Sequence, residues 1–333
     1  MPYALQAPLV SGVIRARPED FQVDEVLGYG ADGDGEHQLL FVEKTALDTS
    51  AVARTLARFS GVSPRDVAFA GRKDRHAVTR QWFSVRLGGK PVPEWQALSA
   101  PGIRVLSAAA HRRKLRVGAL KANRFVLAVT ALDGPVEQLA PRLEAIAEQG
   151  VPNYFGPQRY GRNGANLSRA RCWFSGGKAP RGRDSRSFAL SAARSFLFDT
   201  ALGERVRSGT WNSVSPGEPV MLDGSRSFFL AEAGDETLAG RLASGDVHPS
   251  GPLWGRGADD RPPAEQALAD REPELCRGLE SAGLKAERRA LRVIPGGLAW
   301  TLSDDVLEVS FSLPSGSYAT SVLREVLAVC DAS

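Results

Sequence analysis

Cysteine and histidine are scarce in this chain, and neither is arranged as a metal site. The 333 residues include three cysteines and four histidines. Cys172, Cys276 and Cys330 are far apart and form no CxxC pair, and the histidines show no HExxH or HxxxH spacing. We therefore expect reduced, buried thiols, with neither a disulfide framework nor a bound metal.

Several motifs that mark large enzyme classes are also missing. The chain has no GxxxxGKS/T loop, no GxGxxG turn between a strand and a helix, and no GxSxG elbow. These absences argue against an ATPase, a dinucleotide-dependent enzyme, a Rossmann methyltransferase and an α/β-hydrolase. We therefore expect no cofactor, and in particular no nucleotide cofactor.

Long apolar segments are absent as well. No apolar run approaches the ~20 residues that a membrane-spanning helix needs, and the first residues lack the basic flank and apolar core of a secretion signal. We therefore expect a cytoplasmic protein without a membrane partner. A length of 333 residues exceeds the usual size of one hydrophobic core and predicts two domains.

Acidic residues are nearly missing from two long basic segments. Residues 95–132 contain seven Lys or Arg and no Asp or Glu, and residues 151–194 contain nine Lys or Arg against Asp184 alone. Residues 232–280, by contrast, hold eleven acids and five bases. This segregation favours a surface that attracts nucleic-acid phosphate, although exposed basic faces are often only solvated.

The most informative segment is FAGRKDRHAVTRQWF, residues 69–83. It places one carboxylate, Asp74, among four Lys and Arg side chains, shortly after Gly71, which lets the backbone turn sharply. Nearby cations favour the charged form of a carboxylate, and a charged carboxylate is a suitable nucleophile beside a polyanionic substrate. The segment therefore makes Asp74 a candidate catalytic residue.

Two other interpretations of this segment stay open. A solvated, charged turn would carry no chemistry. A retaining glycosidase also uses a carboxylate nucleophile and needs a second acid about 5 Å away, for which Asp24, Glu25 and Glu36 are candidates. The basic surface argues against a neutral sugar polymer as substrate.

Hydrophobic patterns place Asp74 in a loop between two strands, at residues 67–70 and 81–87. Helices are predicted at residues 190–207, 264–281 and 318–329, and Leu307, Val309, Phe311 and Leu313 alternate along a strand. Residues 151–292 are richer in Gly, Pro and loops. The pattern indicates a middle domain inserted into a first domain that the C-terminal segment completes.

Seven segments carry a resemblance that covers nearly the whole chain. They are Pro18 to Phe21; Phe69-Ala70-Gly71 with Lys73-Asp74; His76 to Thr79 with Gln81-Trp82; Leu115 to Lys121 with Asn123 and Phe125; Val151 to Gly156 with Gln158-Arg159; Leu190 to Ser195; and Leu313-Pro314 with Ala319 to Val322. In this order they resemble the TruD family of tRNA pseudouridine synthases.

The resemblance implies an α+β fold in two domains. A pseudouridine-synthase catalytic domain with a bent mixed β-sheet, residues 1–149 and 293–333, would be interrupted by an inserted α/β TRUD domain, residues 150–292. The implied activity is that of an isomerase, tRNA pseudouridine(13) synthase, which converts uridine 13 in the D arm of tRNA after flipping it out of its stack. Such an isomerisation needs no redox carrier, metal or energy donor.

The resemblance also implies roles for individual residues. Asp74 matches the catalytic aspartate, which acts either as a nucleophile at C1′ or as a base at C2′. Asn123 matches the amide near that aspartate, and Phe125 matches an aromatic ring packed in the active site.

Four further residues are assigned to substrate binding. Phe21 and Tyr318 match positions that line the target-nucleoside pocket, and the family often has Phe where this chain has Tyr318. Arg15, where relatives can carry Lys, is assigned a phosphate or charge-pairing role, and Lys73 lies beside the nucleophile. The expected partner is tRNA, bound by a monomer. The alternative is a structured-RNA-binding protein or RNA chaperone without covalent chemistry.

Overall fold

The computed structural model describes residues 1–258 and 261–332, which form two compact units. The first, which we call the sheet unit, contains residues 9–138 and 295–316 and the residues from Leu327 onward. The second, the central unit, contains residues 1–8, 139–294 and 317–326.

The strands and helices alternate irregularly along the chain. In chain order the strands are β1 (Ser11–Ile14), β2 (Phe21–Leu27), β3 (His37–Thr45), β4 (Val67–Phe69), β5 (Val78–Arg86), β6 (Ile103–His111), β7 (Leu120–Asp133), β8 (Val151–Pro152), β9 (Pro219–Leu222), β10 (Phe228–Leu230), β11 (Val247–Leu253), β12 (Glu287–Ala290), β13 (Arg292–Val293), β14 (Gly296–Ser303), β15 (Val306–Pro314) and β16 (Ala328–Asp331). The helices are α1 (Thr49–Phe59), α2 (Leu139–Gln149), α3 (Ala165–Phe174), α4 (Arg183–Arg207), α5 (Thr237–Ala243), α6 (Pro263–Arg271), α7 (Pro273–Ser281) and α8 (Ala319–Val326).

A ten-stranded mixed sheet is the frame of the sheet unit. Its main path runs β14-β15-β7-β2-β5-β3-β6, while β1 pairs with β7 and β16, and β4 pairs with β5. The β2–β5 and β1–β16 pairs are parallel, and the other pairs are antiparallel. Because β2, β5 and β7 lie in the middle of the path, residues at their ends have fixed neighbours on both sides.

The core of the sheet unit follows from the residue patterns. Leu307, Val309, Phe311 and Leu313 alternate along β15 and are all buried, as the period of a strand requires. Helix α1 buries its apolar stripe in a cluster with β3 and β5 residues. It ends before Gly61, whose φ of +66° is the left-handed conformation in which glycine commonly terminates a helix.

The central unit combines helices with a four-stranded sheet in the order β10-β9-β11-β12 and a two-stranded sheet of β8 and β13. Helices α3, α4 and α7 pack through small residues, including Ala170, Ala189 and Ala193. Gly278 on α7 faces Phe174, and a Cβ at that position would lie 2.1 Å from the phenylalanine ring. The close approach of α3 and α7 therefore requires glycine there.

Three predicted helices are wrong in their extent. The helix predicted at residues 190–207 begins earlier and forms α4, Arg183–Arg207. The segment predicted as one helix at residues 264–281 forms α6 and α7, because Pro273 lacks the amide hydrogen needed to continue the first helix. The last helix ends at Val326 instead of residue 329, and Ala328–Asp331 forms β16, which pairs in parallel with β1. That pairing joins segments that are remote in sequence and overrides local helix preference.

The domain boundaries predicted at 149/150 and 292/293 stay a prediction. The compact units divide the chain at 138/139 and 294/295, and residues 1–8 and 317–326 group with the central unit.

Among the described helices, none combines the length and apolar character needed to cross a membrane. The three cysteines are free thiols, but only Cys276 is buried, and burial raises the pKa of its thiol to about 12. Cys172 and Cys330 are exposed, so the prediction that all three are buried is wrong.

Candidate active site

Asp74 lies in the loop between β4 and β5, where the sequence predicts it. Its side chain is 60% exposed, so the carboxylate is open to an approaching molecule. A loop held between two neighbouring strands positions a reactive group more firmly than a free surface loop does.

Buried side chains hold the backbone of this loop. Lys44 on β3 donates a hydrogen bond from Nζ to the carbonyl oxygen of Asp74 at 2.7 Å. Thr49, the first residue of α1, accepts the amide hydrogen of Lys73 at 3.0 Å and donates to Oε1 of Gln81 at 2.9 Å. The main chain of Lys73 and Asp74 is thus fixed, while the Asp74 carboxylate remains open.

Lys44 is fully buried, which is unusual for a lysine. Burial lowers the pKa of its ammonium group from 10.5 to about 8, although the nearby Asp74, Asp48 and Glu25 carboxylates oppose this shift and Lys73 adds to it. A positive charge therefore lies behind the loop, in contact with the main chain of Asp74.

Arg15 is the cation that contacts the Asp74 carboxylate. Its Nη2 lies 3.2 Å from Oδ2 of Asp74, and its Nη1 forms an ion pair with Asp331 on β16. The guanidinium also lies over the Phe21 ring, 3.9 Å from the centroid. Arg15 has a φ of +56°, a conformation that costs an ordinary residue roughly 1–2 kcal/mol, so strained backbone directs this side chain toward Asp74.

Two of the four cations that surround Asp74 in the sequence are paired with other carboxylates. Lys73 forms an ion pair with Glu25 at 2.7 Å, and Arg80 pairs with Asp24 at 3.1 Å and Glu43 at 2.8 Å. Burial raises the pKa of Glu25, with Lys73 acting in the opposite direction. Lys73 therefore links the loop to β2.

Strand register places the other predicted residues on one face of the sheet. In the antiparallel β2–β7 pair, Glu25 lies opposite Asn123 and Val23 lies opposite Phe125. Directly opposed side chains point to the same face, as do residues two apart on one strand. Phe21 shares this face, and its ring meets that of Phe125 edge to face, with centroids 6.3 Å apart.

Asn123 has an unused hydrogen-bond acceptor on this face. Only 8% of the residue is exposed, and its Oδ1 has no hydrogen-bond partner among the described residues. A buried polar atom without a partner costs about 1–3 kcal/mol. The amide oxygen is therefore suited to accept a hydrogen bond from an N–H or O–H group of a bound molecule.

Tyr318 belongs to the central unit, whereas the other six predicted site residues lie in the sheet unit. The ring of Tyr318 meets that of Phe155 with centroids 6.3 Å apart, and its hydroxyl accepts a hydrogen bond from Nη2 of Arg159. The structure thus brings together Arg15, Phe21, Lys73, Asp74, Asn123 and Phe125 within the sheet unit. Within the central unit, Tyr318 lies beside Arg159.

The three acids that are candidates for the second carboxylate of a glycosidase already form ion pairs. Glu25 contacts Lys73 and accepts the amide hydrogen of Trp82 at 2.8 Å. Asp24 pairs with Arg80, and Glu36 pairs with an arginine on β5 at 2.9 Å. None of these carboxylates is a good candidate for a free general acid beside Asp74.

Sequence reasoning missed the positions that hold the loop. Lys44 follows Leu40 and Val42 at the two-residue period of a strand, so it occupies an inward position of β3. A lysine at an inward position is a signal in the sequence that this residue has a structural or functional role. Glu25 was considered only as a second acid. Its pairing with Lys73 depends on a contact between distant segments that no local pattern reveals.

Comparison with known proteins identifies the family. The family model described as tRNA pseudouridine synthase D (TruD) matches residues 1–167 and 184–326. The chain belongs to the TruD family. It is 50% identical to the tRNA pseudouridine synthase D of Nitrosococcus oceani, over 98% of this chain and 93% of the relative. It is 48% identical to that of Pseudomonas aeruginosa PAO1, again over 98% of this chain and 93% of the relative.

A solved structure has the same fold as this chain. The crystal structure of a candidate tRNA pseudouridine synthase D from Methanosarcina mazei aligns with a TM-score of 0.72 at 20% identity, over 98% of this chain and 96% of that one. The resemblance and the α+β fold class predicted from the sequence are both confirmed.

Proposed function

We propose that this chain converts uridine 13 in the D arm of tRNA to pseudouridine, with Asp74 as its nucleophile. The general activity, that of an isomerase that forms pseudouridine in tRNA, follows from the membership of this chain in the TruD family. The observation that supports the proposed nucleophile is the exposed Asp74 carboxylate. It pairs with Arg15, next to the sheet face that bears Phe21, Asn123 and Phe125.

The reaction balances without any external reactant. The bond between N1 of uracil and C1′ of the ribose breaks, the detached uracil rotates, and C5 bonds to C1′ while the hydrogen on C5 is lost and N1 gains one. In the proposed route Asp74 attacks C1′ as the bond to N1 breaks, and the bond between the carboxylate and C1′ breaks in turn when C5 attacks C1′. In the alternative the same carboxylate removes a proton from C2′ as the bond to N1 breaks, and returns it to C2′ when C5 bonds to C1′. Arg15 pairs with the carboxylate and orients it in either route.

The target uridine must leave its stack to reach Asp74, which costs a few kcal/mol. The Phe21 and Phe125 rings are buried, so they would support an apolar pocket from beneath rather than stack on the base directly. The Oδ1 of Asn123, which has no hydrogen-bond partner among the described residues, would accept the N3–H of uracil. Lys73, which the sequence assigns to substrate binding, forms an ion pair with buried Glu25 and would also position the loop.

The test is release of tritium from tRNA labelled at C5 of uracil, because C5 loses its hydrogen only when pseudouridine forms. Asp74→Asn should lower the rate by at least about 1,000-fold, since the nucleophile is removed. Asp305→Asn, an exposed acid in the β14–β15 turn, is the matched control and should keep the wild-type rate. Release by Asp74→Asn at the wild-type rate would reject the nucleophile.

The position in tRNA is tested separately. A transcript carrying cytidine at position 13 should release no tritium above background, whereas equal release from it would reject uridine 13 as the target.

A protein that binds RNA without modifying it is the competing function. Tight binding of tRNA with no tritium release from total tRNA would favour it. The predicted cytoplasmic location and monomeric state remain part of this proposal, and sedimentation of the purified chain tests the latter.

A further inference from the structure

A cleft of about 690 Å³ opens on the central unit, and it shares Phe155 with the surroundings of Tyr318. One wall is the first three turns of α4, and the other includes Phe155, Leu253 and Leu284. Its volume is within the range of pockets that bind small molecules and single nucleotides. We call it the arginine cleft.

The arginine cleft has a cationic wall. Arg183, Arg186 and Arg194 line it, and no Asp or Glu is among its described lining residues. These arginines belong to residues 151–194, the basic segment with a single acid. The proposed chemistry at Asp74 makes no use of them.

Helical spacing explains why the arginines share one wall. Positions 183, 186, 187, 190, 191 and 194 recur at intervals of three and four, which places them on one face of α4. Ser187 and Ser191 add hydroxyl groups between the arginines, and Leu190 adds apolar surface. The wall therefore combines cations, hydrogen-bonding groups and a hydrophobic patch.

The arginines differ in how firmly they are held. Arg194 donates from Nη2 to the carbonyl oxygen of Leu253 at 3.0 Å and pairs with Glu287 at 3.1 Å, while its Nε is buried without a hydrogen-bond partner in the described chain. Arg183 and Arg186 are exposed at the rim, and Arg186 donates to the carbonyl of Pro180 at 3.0 Å. Arg194 thus forms a fixed floor beneath two accessible cations.

We propose that the arginine cleft binds one nucleotide of the substrate RNA outside its helical stack. Its phosphate would contact Arg183 and Arg186, and its base would lie against Leu190, Leu253 and Phe155. A site for an anion alone requires no apolar wall, and a site for an apolar ligand requires no arginines. The inference rests on the proposed function only in taking RNA as the substrate.

The first experiment measures the dissociation constant of tRNA as a function of salt. Asp74→Asn is used as the background, so that bound tRNA is not converted. Adding Arg183→Ala and Arg186→Ala should weaken binding about tenfold or more and reduce the slope of log K against log salt by roughly 1–2, because fewer counterions are released. Both residues are exposed, so the variant should fold normally.

The matched control is the pair Arg54→Ala and Arg58→Ala, two exposed arginines on α1. It removes the same charge and should change the affinity less than twofold. Equal losses in the two double variants would overturn the arginine cleft as a specific site.

A second experiment distinguishes a nucleotide from a simple anion. Uridine 5′-monophosphate and inorganic phosphate are titrated separately into the wild-type protein, with NMR signals of the Arg183 and Arg186 side chains as the readout. The nucleotide should bind at least about tenfold more tightly, whereas equal binding would overturn the role of the apolar wall.

These results are separable from the proposed catalysis. If the wild type releases no tritium but the Arg183 and Arg186 variant still binds tRNA more weakly than the Arg54 and Arg58 variant does, the catalytic proposal fails and the cleft stands. If the wild type releases tritium and the variant binds tRNA normally, the catalytic proposal stands and the cleft fails.

Discussion

Lys44→Met removes the ammonium group that contacts the main chain of Asp74 and leaves a buried, unbranched side chain of similar length. The wild-type contact is a hydrogen bond of 2.7 Å from a fully buried lysine to the Asp74 carbonyl. Lys44 touches the loop backbone from behind, so we expect it to act as a positioning residue.

The expected effect on stability is small because two terms oppose each other. The fall in the Lys44 pKa from 10.5 to about 8 corresponds to roughly 3 kcal/mol by which folding disfavours its charged form. Removing that charge therefore stabilises the fold, whereas the Asp74 carbonyl left without its donor costs about 1–3 kcal/mol. We expect the free energy of unfolding at pH 7 to stay within about 2 kcal/mol of the wild-type value.

The expected effect on activity is large. A displacement of the nucleophile by about 1 Å lowers a rate by roughly 100-fold, so kcat/KM for tritium release should fall about 10- to 100-fold. Urea unfolding and tritium release, measured on the same preparation, separate the two effects. Retention of kcat/KM within twofold would refute the positioning role.

Lys90→Met is the matched control. The ammonium of Lys90 also donates to a backbone carbonyl, that of Gly61, but Lys90 is exposed and lies after β5. Its replacement should leave both the rate and the urea midpoint nearly unchanged. A loss of activity equal to that of Lys44→Met would show that the assay responds to lost surface charge.

The Lys44 pKa also predicts a pH dependence of stability. Because the folded pKa, about 8, lies below the ordinary value of 10.5, the unfolded chain binds more protons between these two pH values. The contribution of Lys44 to stability therefore rises with pH across that window, by roughly 3 kcal/mol in total. Wild type should gain stability relative to Lys44→Met between pH 8 and 10.5, and parallel curves for the two would contradict the assigned burial.

Two further predictions concern the central unit. Tyr318→Phe removes the hydroxyl that accepts a hydrogen bond from Arg159, and should lower the free energy of unfolding in urea by about 1 kcal/mol. The rate of tritium release should stay within a few-fold of the wild-type rate. A complete loss of release would show that the hydroxyl takes part in the reaction. Asp199→Asn weakens the buried carboxylate that accepts the amides of Phe155 at 2.9 Å and Gly156 at 3.2 Å, and should cost about 1–3 kcal/mol. An unchanged urea midpoint would contradict that role.

Local patterns predicted much of the scaffold around Asp74. The alternation of Leu307, Val309, Phe311 and Leu313 gave a strand because each inward position is apolar, and the loop position of Asp74 followed from two flanking hydrophobic runs. The family resemblance supplied the specific role of Asn123 as the amide near the catalytic aspartate.

The contacts that organise the candidate site were not predictable in the same way. The Arg15–Asp74 and Lys73–Glu25 pairs join segments far apart in sequence, and they depend on the order of strands in the sheet. Charge counting near Asp74 indicated a cationic setting but could not show which cation makes the contact. The break at Pro273, by contrast, follows a local rule and was available from the sequence.

The pairing of β1 with β16 has a consequence for biosynthesis. Arg15 and its partner Asp331 are 316 positions apart, so the ribosome must translate almost the whole sequence before Arg15 can acquire both of its carboxylate contacts. At typical elongation rates this takes roughly 15–60 s after Arg15 itself is incorporated. A nascent chain that has not yet reached Asp331 therefore carries Asp74 beside an Arg15 that lacks its second carboxylate contact.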